Sequence, residues 1–180
     1  MRIHKDETIA VIIDIQAALF PHIHESEKLE KNTIRLIKGL NAIDIPIVVT
    51  QQYTAGLRPT IDSISEAVGE YTHIEKMSFS CCDDPRFDED LAVSSKRNVL
   101  IAGIETHVCV LQTVIDLIDR GFHPVVVEDC VSSRNPNDKK IAIERMRQAG
   151  AIITTYESVL FELLRYSGTK EFKAISKIVK

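Results

Sequence analysis

A chain of 180 residues with 44% hydrophobic and 27% charged side chains has the balance of a globular protein and enough length to bury a sizeable core, so residues 1–180 are expected to form one domain. The net charge of −4 and the isoelectric point near 5.9 leave no basic footprint, which argues against nucleic acid or an anionic membrane surface as partner. The charged start MRIHKDET, with no apolar run near the ~20 residues of a membrane span, points to a cytoplasmic protein without signal peptide or transmembrane helix.

Residues 8–14, TIAVIID, are a compact β-branched run ending in an acid. Over residues 27–43, Leu29, Thr33, Leu36, Ile37 and Leu40 share one helical face, which completes a βα unit. Residues 45–50, IPIVVT, read as a second buried strand whose first positions tolerate the missing N–H of Pro46. Residues 51–59, QQYTAGLRP, then form a loop where a parallel sheet usually meets its ligand. A weak helix over 60–68, a short strand over 73–77 ending at Lys76, and a short helix over 86–94 follow. The stretch 98–121, NVLIAGIETHVCVLQTVIDLIDRG, opens as a central strand whose sharp end Gly103 marks. From about Thr106 the period changes, and Val110, Val114, Leu117 and Ile118 recur at helical spacing. A strand over 124–127, a charged helix over 138–149, a last strand over 151–155 and terminal helices over 157–165 and 170–179 complete the chain. Strands separated by helical crossovers predict a parallel sheet with helices on both faces. That arrangement puts Asp14, Gln51, Lys76, Cys109 and Asp129 near one rim, at or just past strand ends.

Four cysteines, Cys81, Cys82, Cys109 and Cys130, lack Cys-x-x-Cys spacing and read as thiols rather than a disulfide framework or zinc site. Cys109 is singled out by its strand-to-helix turn. Unpaired N–H groups and the positive end of a helix dipole favour thiolate there, and the same N–H groups can hold an oxyanion. Its plain alternative is a small buried hydrophobe. Asp14 is either a turn former or, beside a thiol, a general base that later returns the proton to a leaving amine. Lys76 is either a solvated charge or an ammonium that stabilises both charged partners and lowers the thiol pKa. His107 lies close to Cys109 in sequence, while His22, His24 and His73 show no metal-ligand spacing.

The order Asp14-Ile15-Gln16, Lys76-Met77-Ser78-Phe79-Ser80 and Gly103-Ile104-Glu105-Thr106-His107-Val108-Cys109-Val110 resembles the isochorismatase-like cysteine hydrolase superfamily across nearly the whole chain. Thr50-Gln51-Gln52-Tyr53, Gly56-Leu57-Arg58-Pro59-Thr60, Leu117-Ile118-Asp119-Arg120-Gly121 and Met146-Arg147-Gln148-Ala149-Gly150-Ala151 are most similar to its isochorismatase domain-containing branch. The resemblance implies a three-layer α/β/α Rossmann-like sandwich on a six-stranded, mainly parallel sheet. It implies an Asp14, Lys76 and Cys109 triad that cleaves a C–N amide-type bond through a thioester acyl-enzyme. The oxyanion would rest on the N–H groups of Glu105 and Cys109, with a non-proline cis peptide at Ile104–Glu105. The pocket would be lined by Phe20, Gln52, Tyr53 and Leu57, a set suited to a small, neutral or weakly polar amide.

Two departures narrow this. The metal-binding histidines of the nicotinamidase branch are missing between Asp14 and Lys76, so neither metal nor other cofactor is expected. The isochorismate-cleaving branch does not keep the cysteine, so Cys109 argues against that substrate. The expected partners are a small-molecule substrate and further copies of the chain, since members of the superfamily are usually oligomers and Phe172, Ile175 and Val179 share one face of the last helix. A different class of function, a redox-sensing or scaffold protein using the activated thiol, stays open, because a thiolate is also easily oxidised.

Overall fold

The computed structural model describes residues 1–180. Strands β1 (Thr8–Ile13), β2 (Ile47–Gln52), β3 (Ile74–Lys76), β4 (Asn98–Ile104), β5 (His123–Ser132) and β6 (Ile152–Thr154) lie in the order β3-β2-β1-β4-β5-β6. Every neighbouring pair is parallel. The helices are α1 (Ser26–Ala42), α2 (Thr54–Leu57), α3 (Asp62–Val68), α4 (Pro85–Ser94), α5 (Leu111–Asp119), α6 (Pro136–Ala149), α7 (Tyr156–Leu164) and α8 (Lys170–Val179).

Alternation along the strands divides the core in two, because successive side chains of a strand point to opposite faces. Ala10 and Ile12 of β1 join Leu100 and Ala102 of β4 in one cluster, covered by Leu36 and Leu40 of α1, Ile64 of α3, Leu160 of α7 and Ile175 of α8. Ile9, Val11 and Ile13 join Val99 and Ile101 on the other side, covered by Phe87 of α4, Val114 of α5 and Met146 of α6. The result is a three-layer α/β/α sandwich. Strands buried on both faces explain the near-continuous apolar runs. No helix is long and apolar enough to cross a membrane.

Several boundaries differ from expectation. β2 begins at Ile47, after Pro46, and runs on through Gln51 and Gln52, so the expected loop starts only at Tyr53 and holds the one-turn helix α2. Gly103 lies inside β4 at φ +136° rather than ending it; a Cβ there would stand 2.1 Å from the Ile13 carbonyl oxygen. β5 continues to Ser132 because its register against β4 shifts between Ile101 and Gly103. Glu128 and Asp129, which break the apolar run, sit within that irregular stretch, so Asp129 does not end the strand. On α8, Ile175 is fully buried and Val179 packs on the same cluster, while the Phe172 ring lies 6.1 Å from that of Phe161. That face closes the protein's own core, so it is not the support for contact between copies that the sequence reading took it to be.

Candidate active site

The strand order reverses between β1 and β4, and ligands of open α/β sheets gather outside the carboxyl ends of strands at such a switch point. Asp14 follows β1 there in a left-handed conformation, φ +51°, which a short polar side chain tolerates. Cys109 follows β4. Lys76 ends β3, two strands from β1 and about 10 Å away by strand spacing, so its long side chain must reach back across β2 to arrive.

It does arrive, and it is buried. Asp14 and Lys76 are each 1% exposed and Cys109 6%. The Lys76 ammonium donates to Asp14 Oδ2 at 2.6 Å, Gln52 Oε1 at 3.3 Å and the carbonyls of Ser78 and Phe79 at 3.2 Å each. Asp14 Oδ1 accepts from the Thr50 hydroxyl at 2.7 Å. A cation taken out of water loses stability unless paired and hydrogen-bonded, and this one is both. Burial alone would pull the Lys76 pKa down, but Asp14, with Cys81 and Cys109 adding to it, holds it above the ordinary value.

Cys109 lies on a five-residue π-helical turn, Thr106–Val110, ahead of α5, not in the first turn of an α-helix. Its Sγ donates to Gln52 Oε1 at 3.2 Å. Against the low thiol pKa expected from the sequence, burial first, and then the charge of Asp14 and a hydrogen bond to it, push the Cys109 thiol above its ordinary value, with Lys76 opposing in part.

The Ile104–Glu105 peptide bond is cis. The Glu105 carbonyl accepts from the N–H groups of Val108 at 3.1 Å and Val110 at 3.3 Å. Its buried carboxylate accepts from the Arg134 backbone N–H at 2.9 Å and from Arg134 Nε at 3.1 Å. His107 Nδ1 lies 3.0 Å from Ser133 Oγ. The segment after β5 therefore braces the turn that carries Cys109. Sequence reasoning missed Thr50, Ser133 and Arg134; each is an ordinary polar residue whose partner is distant in the chain, and only the fold reveals the pairing.

The expected pocket residues divide. Gln52 stands at the centre, between lysine and thiol. Tyr53 follows it, half-exposed, with its N–H bonded to the Lys76 carbonyl at 3.0 Å. Leu57 ends α2 and Phe20 opens a short 3-10 turn over Phe20–His22; Ala18 N–H donates to the Leu57 carbonyl at 3.0 Å and Phe20 N–H to the Gln16 carbonyl at 2.9 Å. Gln51 turns away, toward the hydroxyls of Thr60 at 3.1 Å and Thr54 at 3.0 Å. Asp129 is not part of the cluster: it accepts the Tyr156 N–H at 2.9 Å and faces a separate cavity of about 130 Å³ with His24, Lys28 and Lys139. No three His, Cys, Asp or Glu side chains are arranged to hold a metal ion.

Comparison with known proteins bears on the same residues. A family model described as the isochorismatase domain matches residues 8–158, from β1 into α7. Isochorismatase family protein 1B of Dictyostelium discoideum is 38% identical over 180 residues, covering 97% of this chain and 87% of that protein. Isochorismatase domain-containing protein 2A of Mus musculus is 36% identical, covering 99% and 85%. The solved structure of MAR1 ribonuclease from Caenorhabditis elegans superposes with a TM-score of 0.94 at 37% identity, covering 99% of this chain and 92% of that one.

Proposed function

From the premise that the chain belongs to the isochorismatase family, in its isochorismatase domain-containing branch, and is a hydrolase of that family, we propose that it is a metal-independent cysteine hydrolase of a small amide-type substrate. The observation that carries this is the buried Lys76–Asp14 pair, 2.6 Å apart, beside the Cys109 thiol at the switch point of the sheet. In this reading the sulfur attacks the substrate carbonyl carbon as its proton passes to Asp14, so thiolate need not accumulate beforehand. The oxyanion rests on the backbone N–H groups of Glu105 and Cys109. Asp14 returns the proton to the leaving amine as the C–N bond breaks. It then takes a proton from the water that cleaves the thioester, and the thiol is regenerated. Lys76 stays charged and offsets the negative charge that moves between sulfur and carboxylate.

Two other readings fare worse. A redox sensor needs resting thiolate, which burial and Asp14 oppose. RNA, the substrate class in the name of the Caenorhabditis relative, is opposed by the net charge of −4. The reading also takes the protein to be a homo-oligomer, because Tyr53, Met77 and Phe79, all within four residues of Gln52 or Lys76, stand exposed.

The test is ammonia release from a panel of small primary amides, carbamoyl and ureido compounds, with C109A in parallel. Release by the native protein that C109A lacks is the expected result. Release that persists in C109A, or none from any compound, overturns the reading.

A further inference from the structure

Gln52 was expected to line the pocket, yet its side chain is engaged with the triad itself. Oε1 faces two donors, Lys76 Nζ at 3.3 Å and Cys109 Sγ at 3.2 Å, and Nε2 faces one acceptor, the Met77 carbonyl at 3.2 Å. Donors on one side and an acceptor on the other fix which end of the amide is oxygen. Its backbone is held just as firmly. Gln16, fully buried, accepts the Gln52 N–H at 2.8 Å and donates to the Gln52 carbonyl at 3.0 Å and the Arg58 carbonyl at 2.7 Å. The amide is thus carried on a clamped strand end rather than on a free loop.

A carbonyl oxygen can accept an S–H proton but offers only its negative dipole to a thiolate, so this contact favours the protonated sulfur. We infer that Gln52 is a positioning residue that latches the thiol of Cys109 in its protonated form, pointing the S–H away from Asp14 until a substrate takes its place at Oε1. The inference rests on Cys109 being the reactive sulfur and adds a substrate class. An amide bearing N–H on its carbonyl can donate to Oε1 in place of the thiol, and that exchange turns the S–H toward Asp14. Primary amides and carbamoyl groups release the latch, and tertiary amides do not. The charged and titratable groups facing the sulfur are Asp14 beyond β1, which competes with Gln52 for the S–H, Lys76 at the end of β3 and Cys81 in the turn after it; replacing Gln52 leaves all three in place and removes one of the four acceptors of the Lys76 ammonium.

The test reads the thiol directly and needs no substrate. Cys109 alkylation by iodoacetamide is followed by peptide mass against pH for native protein, Q52M and Q52N; methionine keeps the bulk without the acceptor, and asparagine withdraws it. Loss of one ordinary hydrogen bond to the thiol should move the inflection down by about 0.5–1 pH unit, roughly a 3- to 10-fold faster reaction below it. Q52E, which adds a carboxylate, should move it up. Profiles of Q52M and Q52N that superimpose on the native one, or lie above it, overturn the latch, as would a purely space-filling role. Because no turnover is measured, this result is independent of the ammonia screen, and either can fail alone.

Discussion

At the scale of residues, the triad holds one cation, one carboxylate and one thiol, all buried, and the proposed chemistry requires that a single proton move among them. C109A should abolish ammonia release, since no acyl-enzyme can form. D14N keeps the shape but removes the proton carrier, and turnover should fall by roughly 10²–10⁴-fold, the usual worth of positioned acid–base catalysis. A D14N enzyme with near-native kcat/KM would exclude the mechanism. K76A has a pH signature. Lys76 is the one neighbour that lowers the Cys109 pKa, so its loss raises that pKa further and deepens the defect at neutral pH. The defect should shrink as pH rises and solvent deprotonates the sulfur unaided. A loss that stays constant with pH would show that Lys76 does not act through the thiol. Because the residues act as a unit, D14N/K76A should be little worse than the worse single variant.

At the scale of elements, the close approach of β1 and β4 is what puts Asp14 beside the cysteine turn. Gly103 pairs with Ile13 across that contact, and a Cβ at Gly103 would lie 2.1 Å from the Ile13 carbonyl oxygen and 2.7 Å from its nitrogen. Backbone atoms in a central strand cannot give way. G103A should therefore cost more than about 3 kcal/mol in urea unfolding, or prevent soluble expression; unfolding within 0.5 kcal/mol of native would show that the approach is not tight. The brace on the cysteine turn makes a graded prediction. R134A removes a mostly exposed guanidinium and keeps the backbone N–H bond to Glu105, so it should change stability by about 0–1 kcal/mol. E105A leaves that N–H without its carboxylate and should cost about 1–3 kcal/mol; equal effects would count against the brace. The strands were legible where burial is two-sided, because residues 9–13 and 99–102 are uninterrupted aliphatic runs. They were misjudged where polar residues belong to a strand for the sake of the site, as with Gln51 and Gln52 in β2, or continue past an irregularity, as with Glu128 and Asp129 in β5. The positions of Asp14, Lys76 and Cys109 at or just past strand ends could be read from period changes. The upward push on the thiol pKa could not, since it comes from burial and from a carboxylate distant in the chain.

At the scale of the whole molecule, the question is what covers the rim of the site. The edge strand β3 is only three residues long, and short edges are a common protection against strand pairing between molecules. Just beyond it the surface is apolar: Met77 is 72% exposed, Phe79 53% and Tyr53 51%. The backbone that carries Met77 and Phe79 is held by the site's own hydrogen bonds, since their carbonyls accept from Gln52 and Lys76. Removing such a patch from water is favourable at about 25 cal/mol per Å², and a second copy of the chain offers the same apolar patch, which a two-fold contact would bring face to face. Light scattering at micromolar concentration should therefore give at least twice the chain mass of 20.2 kDa, and M77D/F79D should lower it by placing charges on both sides of the contact. A native mass near 20.2 kDa would mean that this rim stays open to solvent. The apolar surface would then be left to contact the substrate alone.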